Sequence, residues 1–429
     1  MKSKAFLIFI CAVSAMGGLL FGYDWVVIGG AKPFYEDFFG IANSPVMQGV
    51  AMTTALIGCL VGAMVAGAAA DRYGRKPLLT ISAVLFTVSA VATGVFNDFT
   101  LFNIARFVGG VGIGVASALS PMYIAEVSPS EIRGRMVSVN QMTIVLGILS
   151  AQIVNMLIGQ GVTAEWGREQ GWRWMFWAEA VPAVLFLVMS FFIPESPVFL
   201  KLKSEGKQAG LAEESSQTSL VSILHPSFRK VLVLGLVIAV FQQWCGTNVI
   251  FNYAQEIFSA AGYDVDGMFM DIVITGIANV LFTFVALYTV EKWGRRTLML
   301  IGAGGLGIIY LILGTCYYMQ ITGVMMVVLV VAAISCYAMT LGPITWVLLS
   351  EIFPNKVRGV AMAICTFALW TGCCTLTFSF PIMNASLGSY GSFWIYSAIC
   401  LVAFGFLYIN CPETKGKSLE QLEKELTRE

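Results

Sequence analysis

The chain has 429 residues, 25 Lys and Arg against 25 Asp and Glu, 58% hydrophobic and 12% charged residues, and a mean hydropathy of +0.80. That is too little polar cover for a soluble domain of this size, and without a basic excess nucleic acid is not an expected partner. His225 is the single histidine and the ten cysteines lie almost entirely in apolar runs without CxxC spacing, so histidine relays, metal clusters and catalytic triads lack their residues and disulfide frameworks have little support.

Crossing ~30 Å of hydrocarbon takes about 20 helical residues. Twelve apolar stretches meet that length, at 6–28, 48–70, 78–96, 101–125, 136–158, 173–193, 230–257, 270–290, 297–318, 323–349, 358–382 and 391–411. The first is longer than the apolar core of a secretion signal, is interrupted by Asp24 and lacks an Ala-x-Ala exit, so it stays as helix 1. The predicted fold is an all-α membrane protein with twelve transmembrane helices in two six-helix pseudo-symmetric bundles. Its parts are a first bundle at 1–197, a cytoplasmic linker at 198–228, a second bundle at 229–411 and a cytoplasmic tail at 412–429. The linker carries alternating charges that fit either short surface helices or a flexible loop. The tail from Ser418 to Leu426 has the pattern of a short amphipathic helix.

The halves repeat each other. Asp71-Arg72-Tyr73-Gly74-Arg75-Lys76 returns as Glu291-Lys292-Trp293-Gly294-Arg295-Arg296. Glu126 to Arg133-Gly134 returns as Glu351 to Arg358-Gly359, and Pro194-Glu195-Ser196 as Pro412-Glu413-Thr414. Same order and same orientation are the mark of parallel repeats, with a substrate site expected where they meet. Most Lys and Arg fall on one side of twelve crossings, whereas Lys32, Arg168 and Arg173 fall on the other with Glu36 and Asp37. The positive-inside tendency then puts both termini in the cytoplasm of a multi-pass inner-membrane protein.

Three charges lie inside predicted spans: Asp24 in helix 1, Arg106 in helix 4 and Glu179 in helix 6. An ionised side chain at that depth costs at least about 2.5 to 3.5 kcal/mol, so Arg106 is the expected partner of Asp24. Burial disfavours a carboxylate's charge and a nearby cation favours it, so a movable arginine can switch proton uptake. The plainer reading is a static pair that fixes helix packing. The second half offers neutral amides instead, Gln242, Gln243, Asn248 and Asn252 in helix 7 and Asn279 in helix 8, with Gln141 from helix 5. Amides that bond hydroxyls, with Trp346 and Trp370 as apolar platforms, describe a site for a neutral polyol. Singly, each amide could equally be glue between helices.

The motifs Gly67-x-x-x-Asp71-Arg72-x-Gly74-Arg75-Lys76, Pro194-Glu195-Ser196-Pro197, Gln242-Gln243 followed by Asn248, Gly342-Pro343 before Trp346, and Pro412-Glu413-Thr414-Lys415-Gly416 carry a resemblance over nearly the whole chain. The chain resembles sugar porters of the major facilitator superfamily, similar to bacterial proton-coupled xylose symporters and animal facilitative glucose transporters. The resemblance implies a secondary active transporter, not an enzyme, importing a pentose or hexose with a proton by alternating access. Its partners are the monosaccharide, the proton and the lipid bilayer, its expected state is a monomer, and no cofactor or metal is expected. It further implies Asp24 as proton acceptor, with Arg106 modulating it and Glu179 nearby; facilitators lack the aspartate. Around the sugar it places Phe21, Gln141, Gln242, Gln243, Asn248, Asn279, Gly342, Trp346 and Trp370, with Asn252 added from the amide pattern. For an inner gate it implies Asp71, Arg72, Glu126, Arg133, Glu195, Arg296, Glu351, Arg358 and Glu413.

This chain departs from the family at several points. The xylose symporters have tyrosine at Asn252 and glutamine at Leu369 and Ile148, which bears on the choice of sugar, and Val198 stands where an arginine is usual. A passive sugar uniporter with a structural Asp24 is the alternative. A non-transporting sugar receptor is disfavoured by the short tail, and a drug or cation exporter by the neutral amides.

Overall fold

Hydrocarbon offers no water to backbone N–H and C=O groups, so apolar stretches of this length satisfy them within helices. The computed structural model describes residues 4–129, 132–204, 226–262, 265–354, 358–417, 421–422 and 425. The chain groups into two compact units, Met1–Leu211 with Val265–Gly276, and Ala212–Asp264 with Ile277–Glu429.

The first unit runs α1 (Lys4–Phe39), α2 (Pro45–Tyr73), α3 (Arg75–Val95), α4 (Phe99–Val127), α5 (Arg133–Gly159), α6 (Trp172–Ser190) and the short α7 (Pro197–Ser204). Local chemistry sets several starts. Ser44 caps α2 from just before Pro45, and Asp98 caps α4 by accepting from the Leu101 N–H at 3.0 Å. Gly58 and Gly62 of α2 face Gly110 and Gly114 of α4 so closely that an added Cβ would meet backbone, the small-residue packing that brings apolar helices together in a membrane. Near Phe39 the core is aromatic, with Phe39, Phe99, Phe102 and Trp172 at ring-centroid distances from 5.2 to 6.4 Å.

The chain continues with α8 (Pro226–Trp244), α9 (Thr247–Asn252), α10 (Ala254–Ala260), α11 (Val265–Trp293), α12 (Arg295–Tyr318), α13 (Val324–Met339), α14 (Leu341–Ile352) and α15 (Arg358–Asn410). Eleven of the described helical runs are long and apolar enough to cross a membrane.

The structure corrects the sequence reading at several points. α1 continues to Phe39, so Lys32 and Glu36 are helical and not in a loop after residue 28. They form an i,i+4 ion pair at 3.0 Å with side chains 2% and 10% exposed, each supplying the charge that lets the other stay inside. The stretch 230–257 is no continuous helix; it breaks at Gly246 (φ +85°) and again at Tyr253. The stretch 323–349 breaks at Thr340, because Pro343 has no N–H to donate and its ring excludes the Met339 carbonyl one turn back. In α15 two helices meet at Gly388, which has the non-helical angles φ 70° and ψ 173°. Linker residues 205–225, with His225, lie outside the described residues, as does the expected tail helix apart from Gln421, Leu422 and Glu425.

Candidate functional site

In the first unit, α1, α4 and α6 bring Asp24, Arg106 and Glu179 together, each 2% exposed. Arg106 Nη1 donates to Asp24 Oδ1 in an ion pair, and Nη2 donates to the Asp24 carbonyl at 3.4 Å. The guanidinium lies over the Phe176 ring, 5.2 Å from its centroid, which places Glu179 one helical turn along the same face of α6. Glu179 is repelled by Asp24 and attracted by Arg106. Asp24 Oδ2 and Arg106 Nε are buried with no hydrogen-bond partner among the described residues. With all three groups ionised, this site would hold two negative charges against one positive charge.

In the second unit the break at Gly246 does what a straight helix could not. Five residues on one helix turn the side chains about 140° apart, yet Asn248 Nδ2 donates to Gln243 Oε1 across the bend. The bend needs glycine on two counts: its φ is positive, and a Cβ there would sit 2.8 Å from the Tyr396 ring. From Gln243 the chain of bonds runs on. Gln243 Nε2 donates to Gln242 Oε1 at 2.6 Å, and Gln242 Nε2 donates to the Tyr337 hydroxyl at 2.9 Å. Asn248 Nδ2 also lies 3.9 Å from Cys373 Sγ.

Three of the sequence-predicted amides are thus joined, in an arrangement that a continuous helix 7 did not foretell. Tyr337 and Cys373 were missed; the available signal for Tyr337 was a hydroxyl in an apolar run just ahead of Pro343. Asn252, Asn279 and Trp370 are buried in the same unit, and Trp346 is 38% exposed. Gly342 opens α14, where a Cβ would sit 3.3 Å from Tyr337 Cε1. Phe21 and Gln141, both half-buried, belong to the first unit.

A charge cluster repeats in both units. Arg75, buried, binds Glu126 with Nε and Nη2 at about 3.0 Å and approaches Asp71 at 3.3 Å. Glu195 accepts from the Arg75 and Lys76 backbone N–H groups at 2.9 and 3.2 Å, and Ser196 Oγ donates to Glu126. A carboxylate there caps the start of α3, whose own cap position is Gly74 at φ +99° and has no side chain to do it. The second unit repeats the contacts of Glu126, Glu195 and Ser196. Arg295 Nη2 binds Glu351 at 3.0 Å, Glu413 accepts from the Arg295 and Arg296 N–H groups at 3.0 and 3.2 Å, and Thr414 Oγ1 donates to Glu351 at 2.6 Å.

The guanidinium in each cluster is therefore that of Arg75 or Arg295. Arg72 and Arg296, the arginines expected from sequence, lie elsewhere: Arg72 is exposed beside the Tyr73 ring, and Arg296 donates to the Tyr408 carbonyl at 2.6 Å. The reason is position, since the residue directly after the glycine reaches back to the end of the preceding helix, where Arg75 Nη1 donates to the Ala70 carbonyl at 2.9 Å. Arg133 and Arg358 begin α5 and α15, and their side chains lie outside the described residues. Beside the second cluster, burial pushes the Cys411 thiol up to about 12, with Arg296 opposing the shift and Glu413 adding to it, so it stays protonated.

Membrane-length helices that bury an ion pair in one unit and a hydrogen-bonded amide chain in the other make up a multi-pass carrier of solutes. The chain belongs to the family described as "Sugar (and other) transporter", whose profile matches residues 10–426. It is 37% identical over 444 residues to the arabinose-proton symporter of Bacillus subtilis, covering 98% of this chain and 95% of that one. It is likewise 37% identical over 474 residues to the D-xylose-proton symporter of Escherichia coli, covering 98% and 96%. The inward-open structure of the xylose transporter XylE from E. coli superposes with a TM-score of 0.86 at 36% identity, covering 98% of this chain and all of that one. Proteins of this family carry solutes and are not enzymes.

Proposed function

We propose that this protein imports a pentose or hexose together with a proton by alternating access, with Asp24 as the proton-binding group. The observation that carries this reading is the buried Asp24–Arg106 pair with Glu179 beside it. A second carboxylate leaves the site short of positive charge, and a proton is the cheapest way to balance it inside a membrane. Protonation of Asp24 removes the anion that holds Arg106. The guanidinium can then turn to Glu179, so one proton exchanges one ion pair for another. The relatives named as arabinose- and xylose-proton symporters support the same reading.

For the sugar we assign the Gln242, Gln243 and Asn248 chain together with Asn252, Asn279, Gly342, Trp346, Trp370, Phe21 and Gln141. Apolar Ile148 and Leu369 and amide Asn252 make the hydroxyl pattern of this site its own. The break at Thr340 gives α14 a hinge next to the sugar-binding residues. The two charge clusters, with Asp71, Arg72, Arg133, Arg296 and Arg358, are assigned to the cytoplasmic gate.

We count twelve spans in two six-helix bundles. A 53-residue α15 would be about 80 Å long at 1.5 Å per residue, so Gly388 divides it into two crossings. An even count puts both termini on one side, the cytoplasmic side by the positive-inside tendency.

Right-side-out vesicles test the reading. Adding the transported sugar should alkalinise the medium, and Asp24→Asn should keep sugar exchange while abolishing accumulation. A passive uniporter would leave the pH unchanged and give Asp24→Asn the same end point as the native chain.

A further inference from the structure

The chain of amides has a direction, and the direction ends on a residue outside every assignment made so far. Each member gives its N–H to the next: Asn248 to Gln243, Gln243 to Gln242, Gln242 to Tyr337. A phenol has one donor hydrogen and two acceptor lone pairs. Gln242 occupies a lone pair through its Nε2, and an amide N–H group only donates, so it cannot take the phenol proton in return. Among the described residues no acceptor is bonded to the Tyr337 O–H. The residue as a whole is half-buried.

The phenol is also held from a second side. Tyr337 lies three residues ahead of the break, its carbonyl accepts from the Thr340 N–H at 3.1 Å, and its ring runs past Gly342 at a distance that leaves no slack for a side chain there. A polar hydrogen fixed in direction by a neighbour, on a ring fixed by a hinge, is the kind of group that reads a ligand's hydroxyl. A free rotor would adapt to any sugar; this one cannot.

We propose that Tyr337 is a specificity-determining residue of the sugar site, its O–H donating to one hydroxyl oxygen of the bound monosaccharide. The inference rests on the sugar-carrier reading above. Gln242 acts as a positioning residue by holding the phenol oxygen as an acceptor, which leaves its hydrogen to point away from the amide. Position 342 must remain without a side chain for the ring to keep its place.

The test is equilibrium binding to purified full-length protein in lipid nanodiscs, with D-xylose, L-arabinose, D-glucose and the monodeoxy analogues of whichever of these binds. Tyr337→Phe keeps the ring and removes the O–H. For a neutral hydrogen bond the expected loss is about three- to tenfold in affinity for the parent sugar. One deoxy analogue should bind the native protein and Tyr337→Phe equally, because its partner oxygen is already gone. Gly342→Ala, which displaces the ring by a few tenths of an ångström, should flatten the preference at that same carbon. An equal loss for parent and all deoxy analogues, or no loss, overturns the proposal while leaving the carrier reading intact. Failure of the native protein to bind any monosaccharide in the panel overturns the carrier reading and the proposal with it.

Discussion

Replacing Asp24 by Asn leaves Arg106 as a cation that is 2% exposed and has lost its ion-pair partner. Breaking a buried pair in this way usually destabilises by about 3 to 5 kcal/mol, because the remaining charge is uncompensated. Here the charge is not alone: Glu179 attracts Arg106 in the same site. The expected cost of Asp24→Asn is therefore only about 1 to 2 kcal/mol, the loss of one charge-assisted hydrogen bond with the ion pair re-formed elsewhere. Glu179→Gln alone should cost little or stabilise, since it removes repulsion against Asp24. The double variant has no anion left for Arg106 and should lose the full 3 to 5 kcal/mol or so. Thermal unfolding of all four proteins in one detergent gives the double-mutant cycle. Additivity within about 0.5 kcal/mol would mean that the two carboxylates do not share the arginine, and the exchange of ion pairs drawn above would be wrong. Transport gives the second readout. At 100 mV and one pH unit a proton supplies about 3.7 kcal/mol, a ceiling near 500-fold accumulation, and Asp24→Asn should bring the ratio to one.

The clusters at Arg75 and Arg295 give a contrast within one motif. Arg75→Ala and Arg295→Ala should each cost about 2 to 4 kcal/mol by stranding a half-buried glutamate, whereas Arg72→Ala should stay within about 0.5 kcal/mol, as melting temperatures would show. Gly246→Ala places a methyl group against the Tyr396 ring at a positive φ. It should lower sugar affinity at least tenfold by straightening the bend that lets Asn248 reach Gln243, measured by binding in nanodiscs. Cys411, with its thiol raised to about 12, should resist maleimide at pH 7 to 8 in the folded protein and react on denaturation. The linked sign is that its contribution to stability is complete below the unfolded thiol's titration near pH 9 and is lost as pH rises toward 12.

The helices were legible because hydrophobic length is a one-dimensional property: each span core read from sequence lies on one described helix or on a run of two or three. Asp24 and Arg106 were legible for the same reason, as charges in apolar runs have few places to go. What sequence left open were the events that depend on a single residue's backbone. The breaks at Gly246 and Thr340 decide which amides meet, and a period of 3.6 carried through them gives the wrong neighbours. Arg72 was preferred to Arg75 because exposure inside a charged cassette cannot be read from spacing; the glycine between them turns the chain, and only the second arginine is aimed inward. Lys32 and Glu36 looked like a loop because two charges interrupt hydrophobicity, although four residues apart they neutralise one another within α1.

The cap on α3 joins residues 120 positions apart, and its copy on α12 joins residues 118 apart. Each of these helices therefore emerges from the ribosome with its first amide groups unmet, and stays so until the carboxylate that answers them has been synthesised after the unit's final crossing. Assembly of either half consequently has a definite last stitch, made at the water's edge, and a nascent chain truncated just short of Glu195 or Glu413 lacks it.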